Sequence, residues 1–138
     1  MWKRRRLSFA VASLLALAVC SGSGQEAKED SPERAVQEQV EAYNRHDLDS
    51  FLGFYSPDVK LYDFPEKEVS SGLDAMRKTY GKLFADNPDL KVDIAKRIVQ
   101  GDTVIDQEAV SVTNRPRFTA VAIYRVKDGK IAAVWFVR

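Results

Sequence analysis

The sequence is poor in the two side chains that most often build metal and redox sites. Its 138 residues include one cysteine, Cys20, and one histidine, His46. A single cysteine excludes an intramolecular disulfide, and one histidine beside it leaves no familiar zinc-ligand spacing. We therefore expect a domain that is stabilised by its hydrophobic core and that uses no metal or other cofactor.

Long apolar runs are missing as well. The apolar stretch Leu7 to Val19 is shorter than the ~20 residues that a membrane helix needs. It follows four basic residues at positions 3–6 and precedes a run of small residues, which is the layout of a secretory signal peptide. We expect residues 1–24 to be this signal peptide, residues 25–31 a polar linker and residues 32–138 one domain.

Two forms of export fit this leader. The run Leu17-Ala18-Val19-Cys20 is similar to a bacterial lipobox, in which the cysteine is lipidated. Ordinary cleavage between Cys20 and Gly24 fits the small residues equally well. We therefore expect an exported protein, periplasmic or secreted, that contacts a membrane only through its signal peptide or through a lipid at Cys20.

The charge of the chain argues against nucleic acid as a partner. Without the four basic residues of the leader, the 21 Lys and Arg fall to 17 against 20 Asp and Glu, a net charge of about −3. The sequence also contains no basic stripe of the kind that contacts phosphates. We expect no nucleic-acid partner.

The spacing of apolar residues changes from helical to extended along the chain. Helical patterns begin near Ser31, Asp47 and Gly72, the last within Ser71-Gly72-Leu73-Asp74, which is similar to a capping box. After Asn87-Pro88 come four segments rich in β-branched and aromatic residues: Leu90 to Val99, Thr103 to Thr113, Arg117 to Lys127 and Lys130 to Arg138. This order predicts an α+β fold, in which three N-terminal helices pack on one face of a curved antiparallel sheet.

Asp63 stands where the strand pattern predicts an apolar side chain. Alternation along Val59 to Phe64 places Val59, Leu61 and Asp63 on the same face. Two interpretations are open. The carboxylate is a base whose pKa is raised by its apolar neighbours, or it lies at a strand end, where it caps a turn or pairs with an arginine.

Asp106 and Glu108 are a second pair of carboxylates on one strand. They lie two residues apart and therefore share a face at about 7 Å, a separation that suits paired-carboxylate chemistry. If Gly101-Asp102 forms a two-residue turn, however, Arg97 lies directly opposite Asp106. We therefore predict an ion pair between Arg97 and Asp106.

The last strand carries a tryptophan of interest, and the loop before the last two strands carries two arginines. A two-residue turn at Asp128-Gly129 would place Trp135 opposite Ala122, so that the indole either fills the core or forms the wall of a pocket. Arg115 and Arg117 flank Pro116 in the preceding loop. They are most simply solvated; alternatively, they attract an anionic ligand at the rim of a cavity.

Three motifs resemble the nuclear transport factor 2-like superfamily: Tyr43-Asn44-Arg45-His46-Asp47-Leu48-Asp49, Phe54-Tyr55-Ser56-Pro57-Asp58-Val59 and Ser71-Gly72-Leu73-Asp74-Ala75-Met76. Within this superfamily, the chain is most similar to the SnoaL-like and ketosteroid isomerase-like branch, over nearly all residues after Ser31. The resemblance implies a cone, in which a bent sheet wraps a long helix and leaves an apolar cavity.

The resemblance also assigns candidate site residues. Asp63 falls on the general base of the ketosteroid isomerases, and Tyr55 and Tyr80 fall on tyrosines that support the oxyanion-binding tyrosine. Gln39 occupies the position of that oxyanion-binding tyrosine. Ala122 lies near the position of the second donor, a protonated aspartic acid, so both oxygen donors are replaced.

The sequence therefore predicts a domain that binds a small, largely apolar molecule in a cone-shaped pocket. Asp63 is the candidate base of a cofactor-free proton transfer, as in steroid isomerases or SnoaL-type cyclases, and the candidate pocket residues are Gln39, Tyr43, Tyr55, Tyr80, Ala122 and Trp135. The alternative is a binding or accessory module without chemistry. Because relatives often assemble through their sheets, a homodimer is a further expectation.

Overall fold

The computed structural model describes residues 31–138, in which three helices and six strands follow one another. The predicted signal peptide, residues 25–30 of the linker and Cys20 lie outside the described residues. The helices are α1 (Pro32–Asn44), α2 (Leu48–Gly53) and α3 (Leu73–Asp86). The strands are β1 (Tyr55–Asp63), β2 (Lys67–Ser71), β3 (Lys91–Gln100), β4 (Thr103–Ser111), β5 (Phe118–Lys127) and β6 (Lys130–Val137).

The first two helices begin at the predicted capping residues. The Ser31 side chain accepts a hydrogen bond from the backbone N–H of Arg34, and Pro32 occupies the first turn of α1. At the start of α2, the Asp47 carboxylate accepts from the backbone N–H of Ser50. Both helix starts are therefore fixed by local sequence.

The third helix begins without the predicted capping box. Gly72 precedes α3 with φ +82°, a conformation that favours glycine, and no side-chain hydrogen bond caps this helix in the described chain. The backbone N–H of Gly72 instead donates to the carbonyl of Val59 on β1. A tertiary contact with the sheet therefore sets the start of α3.

The six strands form one sheet in the order β2-β1-β6-β5-β4-β3. Four of the five pairings are antiparallel, as predicted, but β1 and β6 run parallel. The parallel pairing arises because the chain leaves β1 early, builds β2, α3 and β3 to β5, and returns beside β1 only with β6. The predicted α+β architecture, with three helices packed on a curved sheet, is confirmed.

The hydrophobic core fills the space between the helices and one face of the sheet. Val36 of α1, Phe51 of α2, Met76 of α3 and Ile131 of β6 are all fully buried there. Helix α1 contacts strands β3 to β6, whereas α3 contacts β1 and β2, so the helices cover different parts of the sheet. Among residues 31–138, no helix is both long and apolar enough to span a membrane.

The register of the last two strands differs from the prediction. Trp135 pairs with Ile123, and Phe136 takes the predicted place opposite Ala122. A bulge at Arg125 and Val126 adds one residue to β6 after the turn, and a slip of one residue turns every later side chain to the other face. The predicted pairing of Trp135 with Ala122 is therefore wrong.

Trp135 instead belongs to an aromatic stack with β1. Its ring lies parallel to that of Tyr62, with 5.3 Å between centroids, and the Arg125 guanidinium lies 5.9 Å from the indole. Phe136, the next residue along β6, lines the interior of the domain. The indole therefore lies on the opposite face of the sheet from the core.

Candidate functional site

A cavity of about 430 Å³ lies between the helices and the sheet. This volume is within the range of ~300–1,000 Å³ that is typical of small-molecule pockets. All three helices and strands β1 and β3 to β6 contribute to its wall, which is mainly apolar and aromatic. The polar exceptions are few and are the residues that could act on a ligand.

Four of the predicted site residues line this cavity: Gln39, Tyr43, Tyr55 and Tyr80. The other three, Asp63, Ala122 and Trp135, are not among its lining residues. Ala122 is fully buried in the sheet, where it pairs with Asp106 on β4 and Phe136 on β6. The structure therefore brings together the aromatic part of the predicted site and leaves its candidate base outside.

Asp63 is the last residue of β1, and its side chain is 40% exposed. Val59 and Leu61 on the same strand are buried, so the apolar face ends just before Asp63. The carboxylate lies 3.8 Å from the guanidinium of Arg138, and Asp63 pairs with Phe136 on β6. Both of these neighbours, Arg138 and Phe136, line the cavity. Asp63 therefore lies beside the cavity mouth, in the strand-end environment of the second interpretation.

Three tyrosines and a phenylalanine form one side of the cavity. The rings of Tyr80 and Tyr55 lie 4.7 and 5.1 Å from that of Phe51, and Tyr43 meets Tyr80 edge-on at 6.2 Å. Burial raises the pKa of all three phenols above their ordinary value. They therefore remain protonated at neutral pH and can donate hydrogen bonds.

Gln39 contributes an unpaired polar group to the same wall. Its side chain is buried, and Oε1 accepts no hydrogen bond from any residue in the described part of the chain. A buried polar atom without a partner is costly unless something binds it. Gln39 therefore offers hydrogen-bonding capacity to the contents of the cavity.

Among residues 31–138, Glu108 on β4 is the one carboxylate that lines the cavity. It is 7% exposed, and its Oε1 accepts a hydrogen bond from the Tyr124 hydroxyl at 3.1 Å. Burial raises the pKa of Glu108 to about 7, with a smaller raising effect from Asp106, whereas Tyr124 and Arg97 lower it. Near neutral pH this carboxyl group can therefore both accept and donate a proton.

Asp106, two residues earlier on β4, has a different environment. Its two oxygens accept hydrogen bonds from Nε and Nη2 of Arg97, each at 2.7 Å, and Asp106 is fully buried. Arg97 lies opposite Asp106, so the predicted ion pair is confirmed. Arg97 is thus held by Asp106 in a bidentate arrangement, and its lowering effect on the pKa of Glu108 is smaller than the raising effect of burial.

The sequence analysis considered Glu108 together with Asp106 but did not assign it to the site, because the Arg97–Asp106 ion pair accounted for the pair of carboxylates. Counting on from the Arg97–Asp106 pair places Ala95 opposite Glu108, and in the structure a bulge between Ile94 and Lys96 replaces it with Ile94. Ala120 of β5 pairs with Glu108 on the other side. None of these three residues can neutralise a carboxylate. Once the strand pairing is known, Glu108 can therefore be recognised as a charged residue on the buried face whose cross-strand neighbours carry no opposite charge.

The cavity mouth carries two arginines, Arg115 from the β4–β5 loop and Arg138 after β6. Arg117 is not among the residues that line the cavity; its Nη2 donates a hydrogen bond to Asp93 at 2.7 Å. Within residues 31–138, histidine and carboxylate side chains form no group of three or more that could hold a metal ion. The chemistry available in the site is therefore that of a carboxyl group, phenols, an amide and guanidinium groups.

Comparison with known proteins agrees with this architecture. Residues 36–134 match the model of the SnoaL-like domain family. No curated protein sequence matches the chain. Three of the similar solved structures illustrate the range of related proteins.

A cystatin-fold protein from Novosphingobium aromaticivorans is 23% identical, with a TM-score of 0.73, over 78% of this chain and 98% of the other. AclR from Streptomyces galilaeus, a suggested hydroxylase, is 27% identical, with a TM-score of 0.67, over 77% and 86%. A suggested ketosteroid isomerase from Kribbella flavida is 14% identical, with a TM-score of 0.66, over 77% and 76%. The fold is thus shared by proteins of several suggested activities, and this chain belongs to the SnoaL-like family of the nuclear transport factor 2-like superfamily.

Proposed function

We propose that this domain binds a small, largely apolar molecule and catalyses cofactor-free proton transfer on it, with Glu108 as the acid-base group. The observation that carries the proposal is the buried carboxyl group of Glu108 in the wall of an apolar cavity, where burial raises its pKa to about 7. A general base is most effective when its pKa lies near the working pH. The fold shared with a suggested ketosteroid isomerase is consistent with this class of reaction.

The proposed step moves a proton between two carbons of an unsaturated ketone. Ionised Glu108 removes a proton from the carbon alpha to the carbonyl, and the electron pair moves onto the carbonyl oxygen. Protonated Glu108 then returns the proton to the gamma carbon, which leaves a conjugated enone and restores the carboxylate. No electron acceptor or cofactor is required.

The oxygen that gains charge in this step needs hydrogen-bond donors. The phenols of Tyr55 and Tyr80 line the cavity and stay protonated, because burial raises their pKa values. The side-chain N–H groups of Gln39 are further donors on the same wall, and its unpaired Oε1 can hold a water molecule that donates to the ligand oxygen. We assign these three residues to the binding and stabilisation of the ligand oxygen.

The test compares two carboxylates in one assay. The protein is incubated with β,γ-unsaturated ketones, and enone formation is followed by ultraviolet absorbance for the wild type, Glu108→Gln and Asp63→Asn. We expect Glu108→Gln to lose ~10²-fold to 10⁴-fold in rate, the usual value of a general base, and Asp63→Asn to stay within about fivefold. The opposite order would assign the base to Asp63, and an inactive wild type would refute catalysis on these ketones.

Ligand binding without turnover is the second candidate function. It is favoured by the hydrogen bond from Tyr124, which already occupies one oxygen of Glu108. In this case the cavity holds a molecule through its apolar wall, and Glu108 and Gln39 orient the polar end. Binding of an apolar probe by an enzymatically inactive wild type, retained in Glu108→Gln, would select this function.

We also propose that the domain is exported and that it pairs with a second copy through its sheet. Export is supported by the basic, apolar and small residues of the leader. Pairing is supported by exposed apolar side chains on the outer face of the sheet, among them Ile98 of β3 and Val137 of β6. Fractionation of cells that express the wild type or Cys20→Ala tests export and lipidation, and sedimentation velocity tests the dimer.

A further inference from the structure

The mouth of the cavity combines positive charge with apolar surface. Arg115 and Arg138 both line the cavity, and both are exposed. Phe118 is exposed at the same end, and the Arg138 guanidinium lies 5.5 Å from the ring of Phe136. A ligand that leaves the cavity therefore passes two guanidinium groups next to aromatic rings.

These two guanidinium groups have few partners in the described part of the chain. Arg115 forms no ion pair within residues 31–138, whereas Arg117, two residues further on, is paired with Asp93 at 2.7 Å. Arg138 approaches Asp63 only to 3.8 Å, and both side chains are substantially exposed. Exposed pairs of this kind contribute little free energy, so a better-placed anion can compete for Arg138.

An apolar segment separates Arg115 from Glu108, whereas Arg138 directly follows Val137, which pairs with Val121, and so borders the cavity on the β6 side of the sheet. Glu108 pairs with Ala120 and, two residues towards the loop, Val110 pairs with Phe118. Two strand residues rise ~7 Å, and the loop that carries Arg115 lies beyond them. Along the β4–β5 hairpin, the cavity therefore presents Glu108 at its inner end, then an apolar wall, and then the positive charge of Arg115 at its mouth; Arg138 adds positive charge at the β6 side.

We propose that this cavity takes amphipathic anions, meaning small apolar molecules with one anionic group, of which a carboxylic acid is the simplest. The anionic group binds Arg115 and Arg138 at the mouth, and the apolar body lies along Val110, Ala120 and Phe118. Guanidinium groups suit this role because they bind carboxylates and other oxyanions with two parallel hydrogen bonds. The inference rests on the proposed function only in its first part, the binding of a small apolar molecule.

The charge distribution also orients such a ligand. An anionic group at the inner end would lie beside Glu108 and raise the electrostatic cost of its ionisation. At the mouth the same group meets two cations. The end of the ligand opposite the anion is therefore the end that reaches Glu108 and Gln39.

Two fluorescent probes with the same ring system test this inference. N-phenyl-1-naphthylamine is uncharged, and 8-anilinonaphthalene-1-sulfonate adds one sulfonate to the same body. Both are titrated into the wild type, Arg115→Gln, Arg138→Gln and the double variant, with Arg117→Gln as the control from the same loop. Displacement of the uncharged probe by decanoate and by 1-decanol repeats the comparison for a carboxylate.

We expect the double variant to bind the sulfonate probe and decanoate ~10-fold more weakly, and each single variant ~3-fold more weakly. Binding of the uncharged probe and of decanol is expected to stay within about twofold, and Arg117→Gln to match the wild type. In ~0.5 M salt, the difference between wild type and variants should shrink, because the arginines are exposed.

The two probes separate failure of the inference from failure of the proposed function. If the wild type binds neither probe, the apolar binding site itself is refuted. If the uncharged probe binds but the arginine variants leave the sulfonate probe unchanged, the anion site is refuted and the apolar site stands. An equal loss for both probes, or an equal loss in Arg117→Gln, would also refute the anion site, because the effect would not be specific to charge at the mouth.

Discussion

The hydroxyl of Tyr124 on β5 donates a hydrogen bond to Oε1 of Glu108 on β4 across 3.1 Å, and both side chains are buried. Burial raises the pKa of Glu108 to about 7, whereas this hydrogen bond lowers it. The two effects oppose each other because burial penalises the charged carboxylate and the phenol stabilises it. Tyr124 therefore helps to set the fraction of Glu108 that is ionised at neutral pH.

Removal of the Tyr124 hydroxyl should make Glu108 a weaker acid. In Tyr124→Phe, the ionised carboxylate loses one hydrogen bond, and we expect the pKa of Glu108 to rise above 7 by ~1 pH unit. The measurement is a pH titration of the glutamate side-chain carboxyl carbons by NMR. Tyr62→Phe, on the opposite face of the sheet, is the control, and an unchanged or lower midpoint in Tyr124→Phe would contradict the assignment.

The buried carboxyl group should also make stability depend on pH. The unfolded chain releases this proton near its ordinary pKa of 4.5, whereas the folded protein holds it until about 7. Between these values the folded state binds more protons, so the free energy of unfolding falls as pH rises and levels off above about 7. The loss from this one group is about 3 kcal/mol.

Glu108→Gln removes this titration while keeping an oxygen that accepts from Tyr124. We therefore expect the variant to be more stable than the wild type at pH 8 by about 2 to 3 kcal/mol and to differ little near pH 4.5. Urea unfolding at the two pH values measures this. Glu66→Gln, at an exposed position, should follow the wild type at both; a pH dependence that persists in Glu108→Gln would show that another group carries it.

The sequence predicted one hairpin register correctly and the other incorrectly, for a physical reason. The turn at Gly101 connects β3 and β4 without a bulge before Arg97 and Asp106, so counting back from the turn gives the true pair. The turn at Asp128-Gly129 is followed by a bulge. A bulge depends on how the strands bend over the helices, and the turn residues do not specify it.

The sequence predicts which face of a strand each candidate residue occupies, but not whether that part of the face is buried. Strand alternation correctly places Asp63 on the face of Val59 and Leu61, but it does not tell how far along the strand that face stays covered. Coverage depends on where the helices end above the sheet, which is a tertiary property. Glu108 lies under this cover and Asp63 beyond it, so the buried carboxylate is on β4 and the exposed one at the end of β1.

Removal of only one partner of the Arg97–Asp106 pair should strongly destabilise the protein. Arg97→Met leaves the Asp106 charge buried without a counter-ion, and we expect a loss of about 3 to 5 kcal/mol in the free energy of unfolding. In Arg97→Met with Asp106→Leu, the charge is removed too, and most of the loss should be recovered. Urea unfolding of both variants measures this.

An exposed ion pair provides the control for that experiment. Arg77 and Asp49 lie 2.7 Å apart with largely exposed side chains, so Arg77→Met should cost less than about 1 kcal/mol. Similar losses in Arg77→Met and Arg97→Met would show that burial adds nothing to the Arg97–Asp106 pair. A double variant as unstable as Arg97→Met would show that packing, and not the uncompensated charge, causes the loss.

Asp63→Asn distinguishes a residue that tunes charge at the cavity mouth from a catalytic base. The Asp63 carboxylate lies 3.8 Å from the Arg138 guanidinium, so its neutralisation frees the guanidinium and removes a negative charge from the path of an anion. We expect the variant to bind 8-anilinonaphthalene-1-sulfonate ~2-fold to 5-fold more tightly and to bind the uncharged probe as before. In Asp63→Asn with Arg138→Gln, this gain should disappear, because the two residues act as a pair.

The control is Asp58→Asn, at an exposed position further back on β1, which should leave the binding of both probes unchanged. If Asp63 is instead the base, its variant will lose enone formation by ~10²-fold or more while the affinity for the sulfonate probe stays unchanged.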